Sequence, residues 1–382
     1  MAKRRVGVLF GGRSGEHEVS LVSAASVLRG LNRDKYDVIP IGITKEGRWV
    51  LPEAKLAGEL SHTDLRRALA DGAGVVLPAE PAATALQPVG PRDEGSPLPL
   101  ALDVVFPVLH GTFGEDGTVQ GLLELADLPY VGAGVLGSAL GMDKEVQKRL
   151  FLQARLPTAA FVSVRRGEWE ADRKAALAEV RRALRLPVFV KPANLGSSVG
   201  ISKVRKPTEL AAAIDHAAEF DQKILIEQAI IGREIEVSVL GNDEPVASVP
   251  GEVIPAREFY DYAAKYLEDT TRFIVPAELP PRQVRRFQVL AVAAFRAIEC
   301  SGMARVDFLL ERRTGKIFIN ELNTIPGFTA ISMYPKLWEA SGLAYPALLD
   351  RLLELALERH QEKRRTRFSV DLPQKRGGVL KE

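Results

Sequence analysis

The alternation of apolar and polar positions divides the chain into short strands, tight loops and helices. Val6-Gly-Val-Leu-Phe10 is a compact apolar run, followed by the glycine-rich stretch Gly11-Gly-Arg-Ser-Gly-Glu-His-Glu18 and then by helical spacing over 19–31. Strand, tight loop and helix form a βα unit. Further apolar runs at 36–43 and 103–110 extend it, so the first third reads as an open parallel α/β sheet. Ligands of such sheets sit beyond the carboxyl ends of strands, which is where Glu16 and His110 fall. Alanine, glycine and proline accumulate over 70–99, which predicts a surface excursion without a functional role.

The middle of the chain is built differently. A helix expected over 136–155 carries Lys144, and a strand over 186–192 ends in Lys191. The small-residue loop 193–200, with Ser197 and Ser198, then leads into a strand at 201–204. Such a loop can cradle phosphates through backbone N–H groups and hydroxyls. An ordinary hairpin turn is the other reading, and the spacing is not the G-x-x-x-x-G-K-[ST] loop, because no helix starts at its end. The strand 223–228 ends in Glu227-Gln228, and 233–240 alternates beside it, so Glu227 and Glu234 flank a crease. Phe308, Phe189 and Ile226 could line an apolar slot there for a base, although isolated carboxylates are commonly solvated.

The segments 304–311 and 316–323 carry the densest chemistry. Arg312-Arg-Thr-Gly-Lys316 interrupts the apolar run with a glycine-containing turn, which folds the two segments into an antiparallel hairpin. Residues two apart share a face, so Arg305 goes with Asp307 and Glu321 with Asn323. An odd-numbered loop centred on Thr314 would place Asp307 opposite Glu321 and all four side chains on one face, whereas an even loop would separate them. Two carboxylates and an amide oxygen brought together suit a hard divalent cation, Mg²⁺ or Mn²⁺. Salt-bridged surface carboxylates on a plain hairpin are the competing reading.

Composition limits what this chemistry serves. A chain of 382 residues, 46% hydrophobic and 26% charged, is a globular protein of two or three domains. No apolar run approaches the roughly 20 residues that span a bilayer, and Met1-Ala-Lys-Arg-Arg5 leads into a strand, so a cytoplasmic enzyme without membrane contact is expected. The net charge of +2 gives no global pointer to nucleic acid. The single Cys300 reads as a small buried apolar group, and the basic cluster 363–367 as a solvated tail. The first loop lacks the G-x-G-x-x-G spacing, and no acidic residue ends the second strand, which argues against a dinucleotide fold.

Taken in order, the stretches 11–20, 109–117, 141–144, 190–192, 196–200, 258–266 and 320–327 resemble the signatures of the ATP-grasp superfamily, and within it the D-alanine-D-alanine ligases. The resemblance covers nearly the whole chain. It implies an N-terminal α/β domain (1–141), a central ATP-binding domain (142–235), a C-terminal domain (236–362) that completes a two-part α+β ATP-grasp fold holding ATP between two sheets, and a basic tail (363–382). By the same resemblance Lys144 and Lys191 hold ATP phosphates with Ser197 and Ser198, and Glu227 and Glu234 meet adenine and ribose beside Phe308 and Asn320. Asp307, Glu321 and Asn323 then bind two Mg²⁺ or Mn²⁺ ions. Glu16 holds the ammonium of the first D-alanine, supported by Ser197 and Tyr266 with His110 nearby. Arg305 and the Gly327 N–H stabilise the tetrahedral oxyanion, and Tyr260, Lys265, Ser332 and Met333 complete the substrate contacts. The aromatic and charged segment 256–272 would close as a lid, because an acyl phosphate must be kept from water.

Two positions depart from the pattern of many relatives, Gln228 in place of lysine and Met333 in place of leucine. The resemblance further implies a homodimer formed through the N-terminal domain. Ligases that make D-alanyl-D-lactate, ATP-grasp ligases for other amino acids and a non-catalytic nucleotide sensor are the alternatives.

Overall fold

The computed structural model describes residues 3–52, 61–81, 85–89, 99–196, 199–254, 271–329 and 332–370. Its strands form three sheets. The first contains β1 (Arg4–Gly11), β2 (Tyr36–Ile43), β3 (Trp49–Leu51), β4 (Ala73–Val76), β5 (Ala85–Pro88), β6 (Leu100–Ala101) and β7 (Val104–Pro107), in the order β6-β5-β4-β3-β2-β1-β7. Among the described strands only β1, β2 and β7 are parallel, and the expected open parallel sheet is therefore a core extended by antiparallel strands from β3 to β6. The supposed excursion at 70–99 supplies two of those strands. Val75 and Leu86 are buried there, in runs too short and too diluted by alanine, glycine and proline to show a period.

β1 is apolar on both faces because both are covered. On one side lie the helix His17–Gly30 and, from the far end of the chain, the helix Tyr345–Lys363, whose Leu348, Leu349, Leu352 and Leu353 pack in the same core as Val6, Val8 and Phe10. Each such side chain stabilises the packing by about 1.5–3 kcal/mol.

The second sheet runs β10 (Ser202–Val204), β9 (Val188–Pro192), β11 (Lys223–Gln228) and β8 (Phe161–Arg165), all antiparallel. Val188, Val190, Ile224 and Ile226 face the helices Arg173–Ala183 and Leu210–Phe220. The period of two then sends Phe189, Lys191, Leu225 and Glu227 to the other face.

The third sheet contains β12 (Gly232–Gly241), β13 (Val246–Ala247), β14 (Gly251–Ile254), β15 (Arg272–Ile274), β16 (Gly302–Glu311) and β17 (Ile317–Asn323) in the order β15-β14-β12-β16-β17, with β13 on β12. The helix Pro281–Ala297 covers one face, where Phe287, Leu290 and Phe295 meet Ile235, Val237, Val306 and Phe308. The opposite face carries the charged residues.

Candidate active site

The hairpin β16–β17 places the predicted residues together, but not by the expected turn. Glu311 and Lys316 close it with an N–H to carbonyl bond of 2.8 Å, so the loop 312–315 is even-numbered. Regular pairing continues as Leu310 with Ile317 and Phe308 with Ile319, and then shifts between Asp307 and Phe308, so that Asp307 lies opposite Glu321 and Arg305 opposite Asn323. Asn320 is the extra residue. This β-bulge restores the register that an even loop alone would have broken.

The four side chains do share one face. Arg305 Nε and Nη2 each donate to the Asp307 carboxylate at 2.7 Å, and Asn323 Nδ2 donates to the same carboxylate at 3.0 Å. Arg305 Nε also lies 3.1 Å from Glu236, one strand over, at the β12 position opposite Asp307. Burial works against the charge of Arg305, yet Asp307 and Glu236 outweigh it and hold the guanidinium ionised. The sequence reading passed over Glu236, although its alternation with Glu234 along β12 puts the two on one face.

Helix Lys144–Gln153 approaches the same face from outside. Asp143 caps it, accepting from the N–H groups of Glu145 and Val146 at 3.1 and 3.0 Å, which fixes Lys144 in its first turn. Lys144 Nζ lies 3.4 Å from Glu321 and donates to Leu195 O at 2.8 Å, in the small-residue loop. On the second sheet Glu227 is buried, with Lys191 Nζ at 2.7 Å and Lys148 Nζ at 3.1 Å. Burial pushes the Glu227 carboxyl up, and the two ammonium groups more than reverse it, so the carboxylate stays charged. Lys148 escaped the sequence reading because a lysine inside a helical pattern looks solvated.

The N-terminal sheet contributes the other wall. A Cβ on Gly196 would stand 2.6 Å from Glu16 Oε2, and one on Gly111 would stand 2.8 Å from it, so this carboxylate sits between the loop after β7 and the loop after β9. A cavity of about 210 Å³ beside it is lined by Gly12, Ser14, His110 and Thr112 among others. His110 lies within hydrogen-bonding distance of Ile325 O at 3.0 Å through Nδ1 and of Ser23 Oγ at 3.1 Å through Nε2. The carbonyl requires the proton on Nδ1, and burial lowers the His110 pKa and keeps the ring neutral.

Glu115, also missed, accepts the N–H groups of Gly111 at 2.8 Å and Ile325 at 3.3 Å. Burial first, and the charge of Glu16 second, push its pKa up to about 8. Ile325 is thus gripped at both its N–H and its carbonyl by the loop after β7. Gly327 follows two residues later, close to Ser332, whose Oγ accepts the Thr329 N–H at 3.0 Å.

Three expectations are corrected. Phe308 is buried and stacks edge-on against Phe287 at 5.2 Å, on the face away from the charged residues, because it is odd-stepped from Asp307. Leu309 takes the site-face position. Ile226 likewise faces the helices of its own sheet, and Leu225 replaces it. Met333 packs with Val253 and Leu337 in a small core, so it is withdrawn from substrate. Asn320 enters through its backbone, since its carbonyl accepts from Lys148 at 2.9 Å. Ser197, Ser198, Tyr260, Lys265, Tyr266 and all but the last two residues of the expected lid lie outside the described residues.

Comparison with known proteins bears on the family rather than on single residues. Residues 5–133 match the family D-ala D-ala ligase N-terminus, and residues 150–354 match the family D-ala D-ala ligase C-terminus. A D-alanine-D-alanine ligase of Natranaerobius thermophilus is 51% identical over 96% of this chain and 98% of its own length, and one of Solibacter usitatus is 52% identical over 96% and 99%. Among solved structures, the D-alanine-D-alanine ligase of Coxiella burnetii superposes with a TM-score of 0.82 at 37% identity, covering 96% of this chain and 97% of that one. The VanG D-Ala:D-Ser ligase of Enterococcus faecalis gives 0.82 and 37% over 93% and 100%. With both halves matched and identity near one half along almost its entire length, the chain belongs to the D-alanine-D-alanine ligase family, ligases of the ATP-grasp type.

Proposed function

We propose that the protein joins two molecules of D-alanine to D-alanyl-D-alanine at the cost of one ATP. The observation that carries this reading is the convergence of Arg305, Asp307, Glu321, Asn323 and Lys144 on one sheet face, with Glu16 reaching the adjacent loop at Gly196. A carboxylate oxygen of the first D-alanine attacks the γ-phosphorus of ATP and ADP leaves. The amine of the second D-alanine then attacks the acyl carbon, a proton is lost from nitrogen, and inorganic phosphate departs. Both partners of the first step are anions, so the site must cancel charge.

Position supports a set of roles. Lys144 and Lys191 face the phosphates, Glu16 takes the ammonium of the first D-alanine, and Arg305 with the Gly327 N–H receives the oxyanion of the second step. Leu309 and Leu225 supply the apolar contact to the base that Phe308 and Ile226 do not. Glu234 meets the ribose. Ser332 and the segment 256–272 hold the second substrate and exclude water.

Divalent cations fit this donor set. Asp307 and Glu321 are partly open, with side-chain exposures of 15% and 21%, and with Asn323 they offer two carboxylates and an amide, all hard oxygen donors. Among the described residues no group of three or more His, Cys, Asp or Glu side chains is gathered that could hold a metal. The cations would therefore complete their shells with phosphate oxygens and water, as Mg²⁺ does. Bound there, they would neutralise the transferring phosphoryl group.

Among the described residues no helix is long and apolar enough to cross a membrane. We place the reaction in the cytoplasm, in the supply of peptidoglycan precursors, and assign a homodimer through the N-terminal domain. The test is product identity. Purified protein given ATP, Mg²⁺ and D-alanine should release phosphate and form the dipeptide, with D-serine and D-lactate as poorer second substrates. Preferential consumption of either would overturn the substrate assignment and leave the family standing.

A further inference from the structure

β17 is the outermost strand of its sheet, yet its outer backbone edge is not open. Gln147 spans the Leu322 peptide groups, its Nε2 donating to Leu322 O at 2.9 Å and its Oε1 accepting the Leu322 N–H at 2.9 Å. Lys148 Nζ donates to the carbonyl of the bulge residue Asn320 at 2.9 Å and to Thr158 Oγ1 at 3.1 Å. Thr158 in turn donates to Ile319 O at 3.2 Å, and Pro157 O accepts the Ile319 N–H at 2.8 Å. One turn of helix thus stands in for a missing strand. Both side chains are almost fully buried, and Lys148 has its third partner in Glu227 at 3.1 Å.

The placement matters because Asn320 is the residue that sets the register. Without the bulge held at 320, the even turn would turn Glu321 and Asn323 away from Asp307. A buried ammonium and a buried amide are costly to desolvate, and the β17 backbone supplies part of what satisfies each, beside Thr158 and Glu227 for Lys148 and Gly141 O for Gln147. From this geometry we infer that Gln147 and Lys148 are positioning residues for the phosphoryl-transfer site, which fix the bulge and thereby the spacing of Asp307, Glu321 and Asn323. The helix works as a ruler. Lys144 marks Glu321, Gln147 marks Leu322 and Lys148 marks Asn320. Through Glu227 the same ammonium ties this hairpin to the nucleotide side of the second sheet. The inference rests on the proposed cation role of Asp307, Glu321 and Asn323.

The experiment is Mn²⁺ binding to the full-length protein with ADP, followed by the electron paramagnetic resonance of free Mn²⁺, alongside thermal unfolding. Lys148→Met and Gln147→Glu should each weaken Mn²⁺ binding about tenfold or more, as loss of a residue supporting metal ligands does, and Lys148→Arg should recover part of the loss. A lowered Tm with Mn²⁺ affinity unchanged in the folded protein would reduce both residues to structural supports and overturn the proposal. Should Lys148→Met fail to fold, Gln147→Glu, which removes one arm only, decides alone. Glu321→Gln separates the two readings. If it leaves Mn²⁺ binding intact, the cation assignment fails, and if it abolishes binding while the two ruler variants do not alter it, only the ruler fails.

Discussion

At the scale of single residues the site is a set of charges that hold one another. Arg305 sits between Asp307 and Glu236, Glu227 between Lys148 and Lys191, and Glu321 against Lys144. Glu115 is the exception, since burial and the charge of Glu16 oppose its ionisation by more than two backbone N–H groups and Lys144 favour it. Burial and Glu16 raise its carboxyl from 4.5 to about 8 on folding, so between those values the folded state holds the extra proton and its stability declines as pH rises. Glu115→Gln should remove that decline. Tm measured across the interval should fall less steeply in the variant than in the parent, and an unchanged slope would show that the raised pKa is not expressed. Parity along each strand made the pairs Arg305–Asp307 and Glu321–Asn323 legible from the chain alone, but not their meeting, which the bulge sets. Glu236 was legible by the same rule and was passed over. Glu115 and Lys148 were not legible, because their burial is created by segments more than a hundred residues away.

At the scale of elements, the informative part is how a hairpin reached the expected pairing through an unexpected turn. The Gly-containing loop announced a reversal, but the alternation cannot reveal a bulge, since Asn320 reads as one more polar position. Phe308 was misplaced for a related reason. An aromatic beside a metal-ligand candidate invites a role, while the period of two sends it to the helix side. The loop after β9 is tuned to its neighbour in a way that can be tested. Gly196→Ala would set a methyl group 2.6 Å from Glu16 Oε2, the flexible end of a side chain, so the carboxylate should yield at little cost in stability. The expected outcome is an unchanged Tm with the KM for the first D-alanine raised about tenfold, equivalent to about 1.4 kcal/mol of binding. Equal loss in kcat with KM unmoved would place Glu16 elsewhere in the reaction.

At the scale of the whole molecule, the chain closes on itself. The helix Tyr345–Lys363 shares a core with β1 and the helix His17–Gly30, and Arg359 donates to Tyr130 O at 2.9 Å and to Ser301 Oγ at 2.8 Å. The first and last segments are therefore one packing unit, which no local pattern could announce, because an amphipathic helix does not name the sheet it will cover. Leu352→Ala should lower stability by about 2–5 kcal/mol. Denaturant unfolding read separately at Trp49 in the first sheet and Trp338 near the third should move together. If Trp49 alone moved, the shared core would be refuted.

The α/β class followed from strand and loop order, and the resemblance to known ligases came from short motifs spread along the chain. The antiparallel wing of the first sheet did not follow, since its strands are two to four residues long.

The claim that anions meet on the face of β16 and β17 is tested most directly by phosphate release. With ATP, Mg²⁺ and D-alanine, the unaltered protein should turn over, and Glu321→Gln should lower kcat by about 10²-fold or more while it still folds. Phosphate release by Glu321→Gln at the rate of the parent would contradict the account.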